Sequence, residues 1–296
     1  LGELSLDGSL VAVKGVLPIA INARSEGFKS IIVPLENANE AAVVEGIHVY
    51  GFSHIREVTD FLNGKQQAEP FTFDPTLSEV TNDLLYDFKD VKGQETVKRA
   101  LEIAAAGAHN LLMVGAPGSG KTMLARRLPG ILPPMTVEES LETTKIHSVA
   151  GKLSRNCSLI TTRPFRSPHH TISPIALIGG GSFPRPGEIS LATNGVLFLD
   201  ELTEFQRNVL EVMRQPLEDR KITISRARYS VDYPANFMLI ASMNPCPCGY
   251  YNHPTKECTC SGSAIQHYLS KISGPLLDRI DMHIEVVPVE LEKIAG

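Results

Sequence analysis

The sequence predicts an α/β protein whose larger part is a doubly wound parallel sheet with a nucleotide-binding loop. Three short runs are entirely apolar, at residues 111–114, 196–199 and 237–241. Such runs are typical of strands that are buried on both faces of a parallel sheet. Helical patterns lie between them, including residues 204–217, and a glycine-rich loop follows the first run. Strands that alternate with helices in this way predict the doubly wound arrangement.

The composition is that of a globular protein with no membrane segment. The chain has 296 residues, of which 43% are hydrophobic and 21% charged. No apolar run approaches the roughly 18 to 20 residues that span a bilayer, and no signal peptide begins the chain, so we expect a cytoplasmic protein. The net charge of −5 argues against binding nucleic acid by charge alone. Any nucleic-acid site must therefore be local.

The first apolar run leads into a phosphate-binding loop. The loop fits the pattern G-x-x-x-x-G-K-[ST] and precedes a helical stretch at residues 123–128. Its glycines allow backbone amides to surround phosphate groups, its lysine reaches the β- and γ-phosphates, and its threonine hydroxyl coordinates Mg²⁺. The sequence therefore predicts ATP and Mg²⁺ as ligands of Gly115, Ala116, Pro117, Gly118, Ser119, Gly120, Lys121 and Thr122.

The other two apolar runs end in polar residues that suit ATP hydrolysis. Asp200 and Glu201 follow the second run, and Asn244 follows the third. The carboxyl ends of parallel strands share one edge of a sheet, so we expect these side chains to meet the phosphate-binding loop there. Asp200 is predicted to hold Mg²⁺ through water and Glu201 to polarise the attacking water. Asn244 is predicted to orient that water beside the γ-phosphate.

An arginine near the end of the chain has no predicted partner on its own side of the phosphate-binding loop. Arg279 lies in the segment Leu-Leu-Asp-Arg-Ile-Asp. An arginine that reaches the γ-phosphate of a neighbouring subunit would stabilise the charge of the transition state. The alternative is an ordinary surface salt bridge to Asp278 or Asp281.

Together these motifs resemble the YifB/ComM family of magnesium-chelatase-like AAA+ ATPases over essentially the whole chain. The resemblance implies a P-loop AAA+ domain with pore hairpins, in a ring that is most often a hexamer. It also implies ATP-driven movement along DNA, as in a branch-migration helicase of natural transformation or recombination. A metal-chelatase-type motor acting on a protein and a protease-linked unfoldase are the alternatives. The motifs that carry the resemblance are residues 90–94, 115–122, 163–170, 186–188, 200–201, 244–246 and 274–279.

The family resemblance also assigns roles to residues outside the phosphate-binding loop. It places Val91, Gly93 and Gln94 in the adenine pocket, and it implies that Arg279 acts on a neighbouring subunit. The glycine-rich stretch around residues 179–187 is interpreted as a first pore loop. Residues 221–233 are interpreted as a second pore hairpin, with DNA contacts from Arg226 and Arg228 near its tip. A charged tip that is merely solvated is the alternative. His169 and His170 are candidates for a structural or coupling role, in preference to metal binding.

Four of the five cysteines form a compact cluster in the sequence. Cys246 and Cys248 are followed nine residues later by Cys258 and Cys260. In a reducing compartment such a cluster favours zinc over disulfides. The gaps of one residue depart from the usual spacing of two to four, and reactive or idle thiols are the alternative to a structural zinc site.

The N-terminal part is predicted to be a separate small α/β domain. Residues 1–65 have mixed strand and helix patterns, residues 66–84 are typical of a linker, and residues 85–296 form the predicted ATPase domain without a C-terminal lid. Residues 2–8, 30–37 and 49–54 resemble the carboxyl half of a Lon-protease-type domain. Leu17 stands where that family has its catalytic lysine, and the segment for the serine would precede Leu1. We therefore expect no proteolysis.

Overall fold

The computed structural model describes residues 1–74, 86–154, 157–181, 184–226 and 229–288. The chain forms two compact units. One combines Leu1–Val80 with Met135–Thr162, and the other combines Thr81–Pro134 with Arg163–Gly296. The sequence had assigned everything after residue 84 to one domain. The structure instead groups residues 135–162 with the N-terminal residues.

The strands are β1 (Glu3–Leu4), β2 (Leu10–Val11), β3 (Ser30–Pro34), β4 (His48–Phe52), β5 (Leu111–Gly115), β6 (Phe165–Arg166), β7 (Gly179–Gly180), β8 (Arg185–Pro186), β9 (Val196–Leu199), β10 (Lys221–Arg226), β11 (Tyr229–Pro234), β12 (Met238–Met243) and β13 (Met282–Val286). The helices are α1 (Val16–Ser25), α2 (Ala38–Ala42), α3 (Ile55–Leu62), α4 (Glu95–Gly107), α5 (Lys121–Arg127), α6 (Val137–Ala150), α7 (Pro174–Ile178), α8 (Glu188–Leu191), α9 (Arg207–Glu211), α10 (Arg214–Asp219), α11 (Gly262–Leu269) and α12 (Gly274–Leu277). Among the described residues, none of these helices has the length and apolar character needed to cross a membrane.

The first unit combines a parallel strand pair with helices that include α6. β3 pairs with β4 in parallel, and β1 pairs with β2 antiparallel. The Gly15 amide, just before α1, donates to the Ser148 carbonyl of α6 at 3.1 Å. Phe71 donates its backbone amide to Val49 of β4, so the described start of the predicted linker is paired with this unit. Leu17 is fully buried in the core, together with Val16, Ala20, Val33, Ala38, Ala41 and Val49.

A buried carboxyl group lies inside this first unit. Glu40 on α2 is 7% exposed and accepts hydrogen bonds from Asn37 Nδ2 at 2.7 Å and from Ser148 Oγ at 2.8 Å. Burial raises the pKa of Glu40, and the hydrogen bonds from these two side chains oppose that shift. The hydrogen bond from Ser148 of α6 to Glu40 is one reason why residues 135–162 belong to this unit.

The second unit is built on a five-stranded parallel sheet in the order β13-β5-β12-β9-β6. Its three central strands contain the apolar runs predicted from the sequence, apart from Phe237, which precedes β12. Every residue of β9 and β12 is buried. Hydrophobic clusters cover the sheet, one of them formed with α4. The inward face of α4 is formed by the buried residues Val97, Ala100, Leu101 and Ala104.

The helical stretch predicted over residues 204–217 is present but interrupted. The structure has a 3₁₀ turn at Leu202–Glu204, followed by the separate helices α9 and α10. Pro216 lies in the first turn of α10, and it has no amide hydrogen with which to extend α9 through this position. The predicted hairpin is also present, because β10 pairs with β11 from Lys221↔Pro234 to Arg226↔Tyr229. Ile222 and Ile224 are buried on its inner side.

Candidate nucleotide-binding site

The predicted phosphate-binding residues meet at one edge of the parallel sheet. β5, β12 and β9 are neighbours in the sheet, and each leads at its carboxyl end into a polar segment. These segments are the loop 116–120 after β5, Asp200 and Glu201 after β9, and Asn244 after β12. A cavity of about 380 Å³ lies among residues 117–123, 200–201 and 242–244.

The loop after β5 has the backbone geometry of an anion-binding site. Gly118 and Gly120 have φ angles of 78° and 91°, in the left-handed region that favours glycine. A Cβ atom on Gly115 would lie 2.4 Å from the Val286 carbonyl oxygen, so a side chain does not fit there. Ser119 Oγ is buried and has no hydrogen-bond partner among the described residues. An unpartnered buried hydroxyl beside the start of α5 fits a phosphate oxygen.

Lys121, the first residue of α5, lies at the base of this cavity. Its side chain is largely buried, and Nζ donates to the carbonyl oxygens of Gly115 at 2.7 Å and Ala116 at 2.9 Å. Nζ also lies 3.4 Å from Asn244 Oδ1. Burial lowers the pKa of Lys121, whereas the nearby carboxylates of Asp200 and Glu201 act to raise it.

A hydroxyl and a carboxylate are paired where Mg²⁺ is predicted. Thr122 Oγ1 donates to Asp200 Oδ2 at 2.6 Å. The other oxygen of Asp200 accepts from Ser242 Oγ and from the Glu201 backbone amide. Oxygen ligands of this kind, with one carboxylate and substrate phosphates, are the usual protein ligands of Mg²⁺. The sequence-based prediction missed Ser242, although a fully buried hydroxyl in an otherwise apolar strand is a signal for a hydrogen-bonded site.

Glu201 is held in a strained conformation beside a histidine. Its φ of 54° lies in the left-handed region, which is costly for a residue with a side chain and common at functional sites. Its side chain is 60% exposed, and Oε2 lies 3.8 Å from His170 Nδ1. The His170 ring contacts His169, with ring centroids 4.0 Å apart, and the edge of Phe205. Of the two histidines that the sequence singled out, His170 is thus the one beside the predicted catalytic carboxylate.

The segment predicted to line the adenine pocket lies next to the phosphate-binding loop. Val91 is buried, and Gly93 and Gln94 both have positive φ angles. Gln94 Nε2 donates to the Val287 carbonyl oxygen at 2.6 Å and approaches that of Ser119 at 3.4 Å. The segment therefore connects the end of β13 with the loop, which is compatible with the predicted role.

Arg279 makes its described contacts within its own chain. Its guanidinium group forms an ion pair with Glu218 on α10 and donates to the Pro275 carbonyl oxygen. The partner is therefore neither Asp278 nor Asp281, the two acids considered from the sequence. Asp281 instead accepts from the Asn110 backbone amide at 2.8 Å. The action of Arg279 on a neighbouring subunit stays a prediction.

Two hairpins lie side by side in the second unit. The short pair β7–β8 follows α7, and Tyr233 of the β10–β11 hairpin donates its hydroxyl hydrogen to the Pro184 carbonyl oxygen at 3.0 Å. Gly179 has a φ of 111°, and a Cβ there would lie 2.3 Å from the Arg185 carbonyl oxygen. Arg226 ends β10, whereas Arg228 lies outside the described residues. The DNA contacts predicted for this tip stay predictions.

The four clustered cysteines converge in space. The Sγ atoms of Cys246, Cys248, Cys258 and Cys260 all lie within 4.8 Å of one another. Backbone hydrogen bonds from Tyr250 and Thr259 lower the pKa of Cys248 to about 6. Despite a backbone hydrogen bond from Cys260, the pKa of Cys258 is raised to about 12 by burial and by the neighbouring thiols. This is the one group of cysteine, histidine or acidic side chains among the described residues with the arrangement of a metal site.

Comparisons with known proteins agree with the predicted family. The family described as magnesium chelatase, subunit ChlI, matches residues 87–294, and a second family, described as subunit ChlI of Mg-chelatase, matches residues 1–37. Competence protein ComM of Haemophilus influenzae is 47% identical over 292 residues, covering 96% of this chain and 55% of ComM. YifB of Escherichia coli is 46% identical over 285 residues, again covering 96% and 55%.

The chain thus spans about half the length of these curated relatives. Among solved structures, a cryo-EM-based complex between subunits BchI and BchD of magnesium chelatase is similar with a TM-score of 0.47 and 20% identity. That likeness covers 71% of this chain and 64% of the other. From the family match and the parallel sheet with its phosphate-binding loop, the chain belongs to the magnesium chelatase ChlI family of AAA+ P-loop proteins, in its YifB/ComM group.

Proposed function

We propose that this chain contains the ATPase domain of a ring-forming AAA+ motor that hydrolyses ATP and moves along DNA. The motor would be a hexamer and would act as a branch-migration helicase in natural transformation or recombination. The observation that supports ATP hydrolysis is the convergence of Lys121, Thr122, Asp200 and Asn244 at one sheet edge. The name of the related competence protein supports the step from ATPase to DNA.

Each residue at the sheet edge has a distinct role in this proposal. The loop amides, Ser119 and Lys121 bind the phosphates, and Thr122 and Asp200 hold Mg²⁺, which neutralises developing charge. Glu201 accepts a proton from the attacking water, and Asn244 orients that water. Arg279 from the neighbouring subunit completes the site, which requires its release from Glu218.

The ATPase proposal is tested by separating nucleotide binding from turnover. Glu201→Gln keeps the shape of the side chain but removes its basicity, so turnover should fall by about 10²- to 10⁴-fold while ATP affinity is retained. Glu204→Gln is the matched control, because Glu204 follows on the same segment and pairs with Lys271 at 3.7 Å. A Glu201→Gln variant that hydrolyses ATP at the wild-type rate would contradict the assignment.

The DNA proposal depends on the paired hairpins. A protein of net charge −5 can hold DNA only through focused positive charge. Replacing both Arg226 and Arg228 with alanine should weaken DNA binding and reduce the slope of log K against log salt by about one for each lost phosphate contact. Arg99→Ala is the control, since Arg99 is exposed on α4 and pairs with Glu102.

ATP affinity should not change in the double variant, whereas stimulation of the ATPase by branched DNA should disappear. A wild-type salt slope in the double variant would show that this hairpin is not the DNA contact.

A second candidate is a metal-chelatase-type motor that acts on a protein. The matching family carries the name of magnesium chelatase. The two candidates differ in their response to DNA. An ATPase rate that neither branched nor duplex DNA changes, in protein that hydrolyses ATP normally, would favour the chelatase-type motor.

A further inference from the structure

The cysteine cluster is located directly beside the phosphate-binding loop. We propose that Cys246, Cys248, Cys258 and Cys260 bind one zinc ion, and that the loop closed by this ion supports the phosphate-binding loop. The support is a contact between Gly249 of the cysteine loop and Pro117. Nucleotide affinity would then depend on a metal that takes no part in hydrolysis.

Three of the four sulfurs are spaced as in a tetrahedral tetrathiolate site. With a Zn–S bond of about 2.3 Å, the sulfurs of a regular tetrahedron are about 3.8 Å apart. Cys246 Sγ lies 3.4 Å from Cys248 Sγ and 3.7 Å from Cys258 Sγ. The Sγ atoms of Cys248 and Cys258 are 3.6 Å apart. The gaps of one residue between the cysteines of each pair therefore do not prevent the four sulfurs from lying within 4.8 Å of one another.

Backbone amides add to the fit. The Cys248 amide approaches Cys260 Sγ at 3.4 Å, and the Tyr251 amide approaches Cys246 Sγ at 3.3 Å. Amide donors directed at sulfur stabilise the thiolate form that zinc requires and fix the position of the ligand. A chance grouping of idle thiols would not need donors at two of its sulfurs.

The loop between the cysteines touches the phosphate-binding loop at one defined place. Gly249 donates its amide to the Cys246 carbonyl oxygen at 3.0 Å and has a φ of 85°. A Cβ atom at this glycine would lie 2.5 Å from Pro117 Cδ, so the proline ring packs directly against Gly249. Pro117 is the third residue of the phosphate-binding loop.

The same loop begins two residues after Asn244. Cys246 is fully buried, so a metal bond at its sulfur would fix the chain just beyond the end of β12. Metal binding by a loop without regular secondary structure supplies much of the free energy that orders it. Loss of the ion should therefore loosen the contact at Pro117 and the position of Asn244 together. This dependence rests on the proposed nucleotide binding, whereas zinc binding itself does not.

Zinc content is the first test. Full-length protein purified without chelator should contain about one zinc per chain by atomic spectroscopy, as should the control variant Cys157→Ala, whose cysteine is buried outside the cluster. The double variant Cys248→Ser/Cys258→Ser should contain none. Replacement of zinc by Co²⁺ should give the absorption of a tetrahedral tetrathiolate site. Metal-free wild-type protein with all four clustered thiols freely reactive would overturn the proposal.

Nucleotide affinity is the second test, and it is made on folded protein. Removing zinc from the wild type with a chelator should weaken binding of a fluorescent ATP analogue about tenfold, within the roughly 5- to 150-fold typical of coupling between two sites. Adding zinc back should restore the affinity. Gly249→Ala should keep its zinc and yet weaken binding, because the new Cβ displaces Pro117.

Gly262→Ala is the control, since a Cβ there meets no atom within 4 Å. Unchanged affinity in both the zinc-free protein and the Gly249→Ala variant would overturn the coupling while leaving the zinc site in place. Zinc-loaded wild-type protein that binds no nucleotide would instead overturn the proposed function and the coupling with it, but not the metal site.

Discussion

Replacing Lys121 with alanine should weaken ATP binding far more than ADP binding. The ammonium group is held at the base of the site by carbonyl oxygens of Gly115 and Ala116, at 2.7 and 2.9 Å. Lysines at this position of a phosphate-binding loop reach the β- and γ-phosphates. ATP therefore loses two charged contacts in the variant, and ADP loses one.

The magnitude follows from the strength of such contacts. A hydrogen bond to a charged group contributes about 1.5 to 3 kcal/mol, and each 1.4 kcal/mol is a tenfold change in affinity. One contact at the lower figure gives roughly a tenfold loss for ADP. Two contacts give a loss of about 3 kcal/mol for ATP, which is roughly 100-fold. Burial lowers the pKa of Lys121, so this lysine loses its proton at a lower pH than an exposed lysine does. As the pH is raised, the ATP affinity of the wild type should therefore begin to fall at a lower pH than it would with an exposed lysine.

The assay is a titration with fluorescent analogues of ATP and ADP, beside a thermal unfolding curve for each variant. Lys89→Ala is the control, because Lys89 is an exposed lysine of the same unit. Lys121→Arg should keep part of the affinity, since the charge is retained. The reasoning is refuted if folded Lys121→Ala binds ATP within about threefold of the wild type, or if ATP and ADP lose affinity equally.

Three further predictions concern single side chains. Arg279→Ala should bind ATP but hydrolyse it about 10³-fold more slowly, with activity partly restored in rings mixed with Glu201→Gln. Glu218→Ala, which removes the partner of Arg279 in the ion pair, should hydrolyse ATP normally. Equal losses of activity in the Arg279 and Glu218 variants would indicate a structural ion pair. His170→Ala should lower turnover about fivefold without changing ATP affinity, as expected for the loss of about 1 kcal/mol beside Glu201, and a changed affinity would contradict this. Glu40→Gln should raise the unfolding temperature at neutral pH. Because the pKa of Glu40 is raised in the folded protein, the unfolded chain loses this proton at a lower pH than the folded protein does. The stability of the wild type therefore falls as the pH rises from the unfolded to the folded pKa of Glu40, and the stability gained by Glu40→Gln should vanish in acid.

The sheet and the meeting of the candidate phosphate-binding residues at its edge could be predicted from the sequence because their signals are local. A strand buried on both faces is apolar along its whole length, so residues 196–199 were identified with the bounds that β9 has. The loop 115–122 needs its glycines and its lysine at fixed spacing. Asp200 and Asn244 could be placed beside it because parallel strands present their carboxyl ends on one edge.

The contacts that were missed join residues far apart in the chain. Glu40 and Ser148 are bonded within the first unit, yet nothing near residue 148 in the sequence indicates a partner on α2. The pairing of Arg279 with Glu218 was missed for the same reason. Asp278 and Asp281 lie much nearer to Arg279 in the sequence, and nothing in the sequence indicates that Glu218 is its partner. Ser242 is different, because its hydroxyl in a buried apolar strand was a visible signal.

β12 is the element through which the proposed activities would be coupled. The β10–β11 hairpin, the proposed DNA contact, ends four residues before β12 begins. Inside the strand, Ser242 donates to Asp200, and just beyond it Asn244 lies 3.4 Å from the Lys121 ammonium group. The cysteine loop then follows directly. A displacement of the hairpin by DNA and a change at the γ-phosphate would therefore act on the same short strand. Because that strand is buried and hydrogen-bonded to β5 and β9 on its two sides, it would transmit such a displacement by moving as a body rather than by bending. DNA stimulation of the ATPase should accordingly require an intact hairpin and Asn244 together.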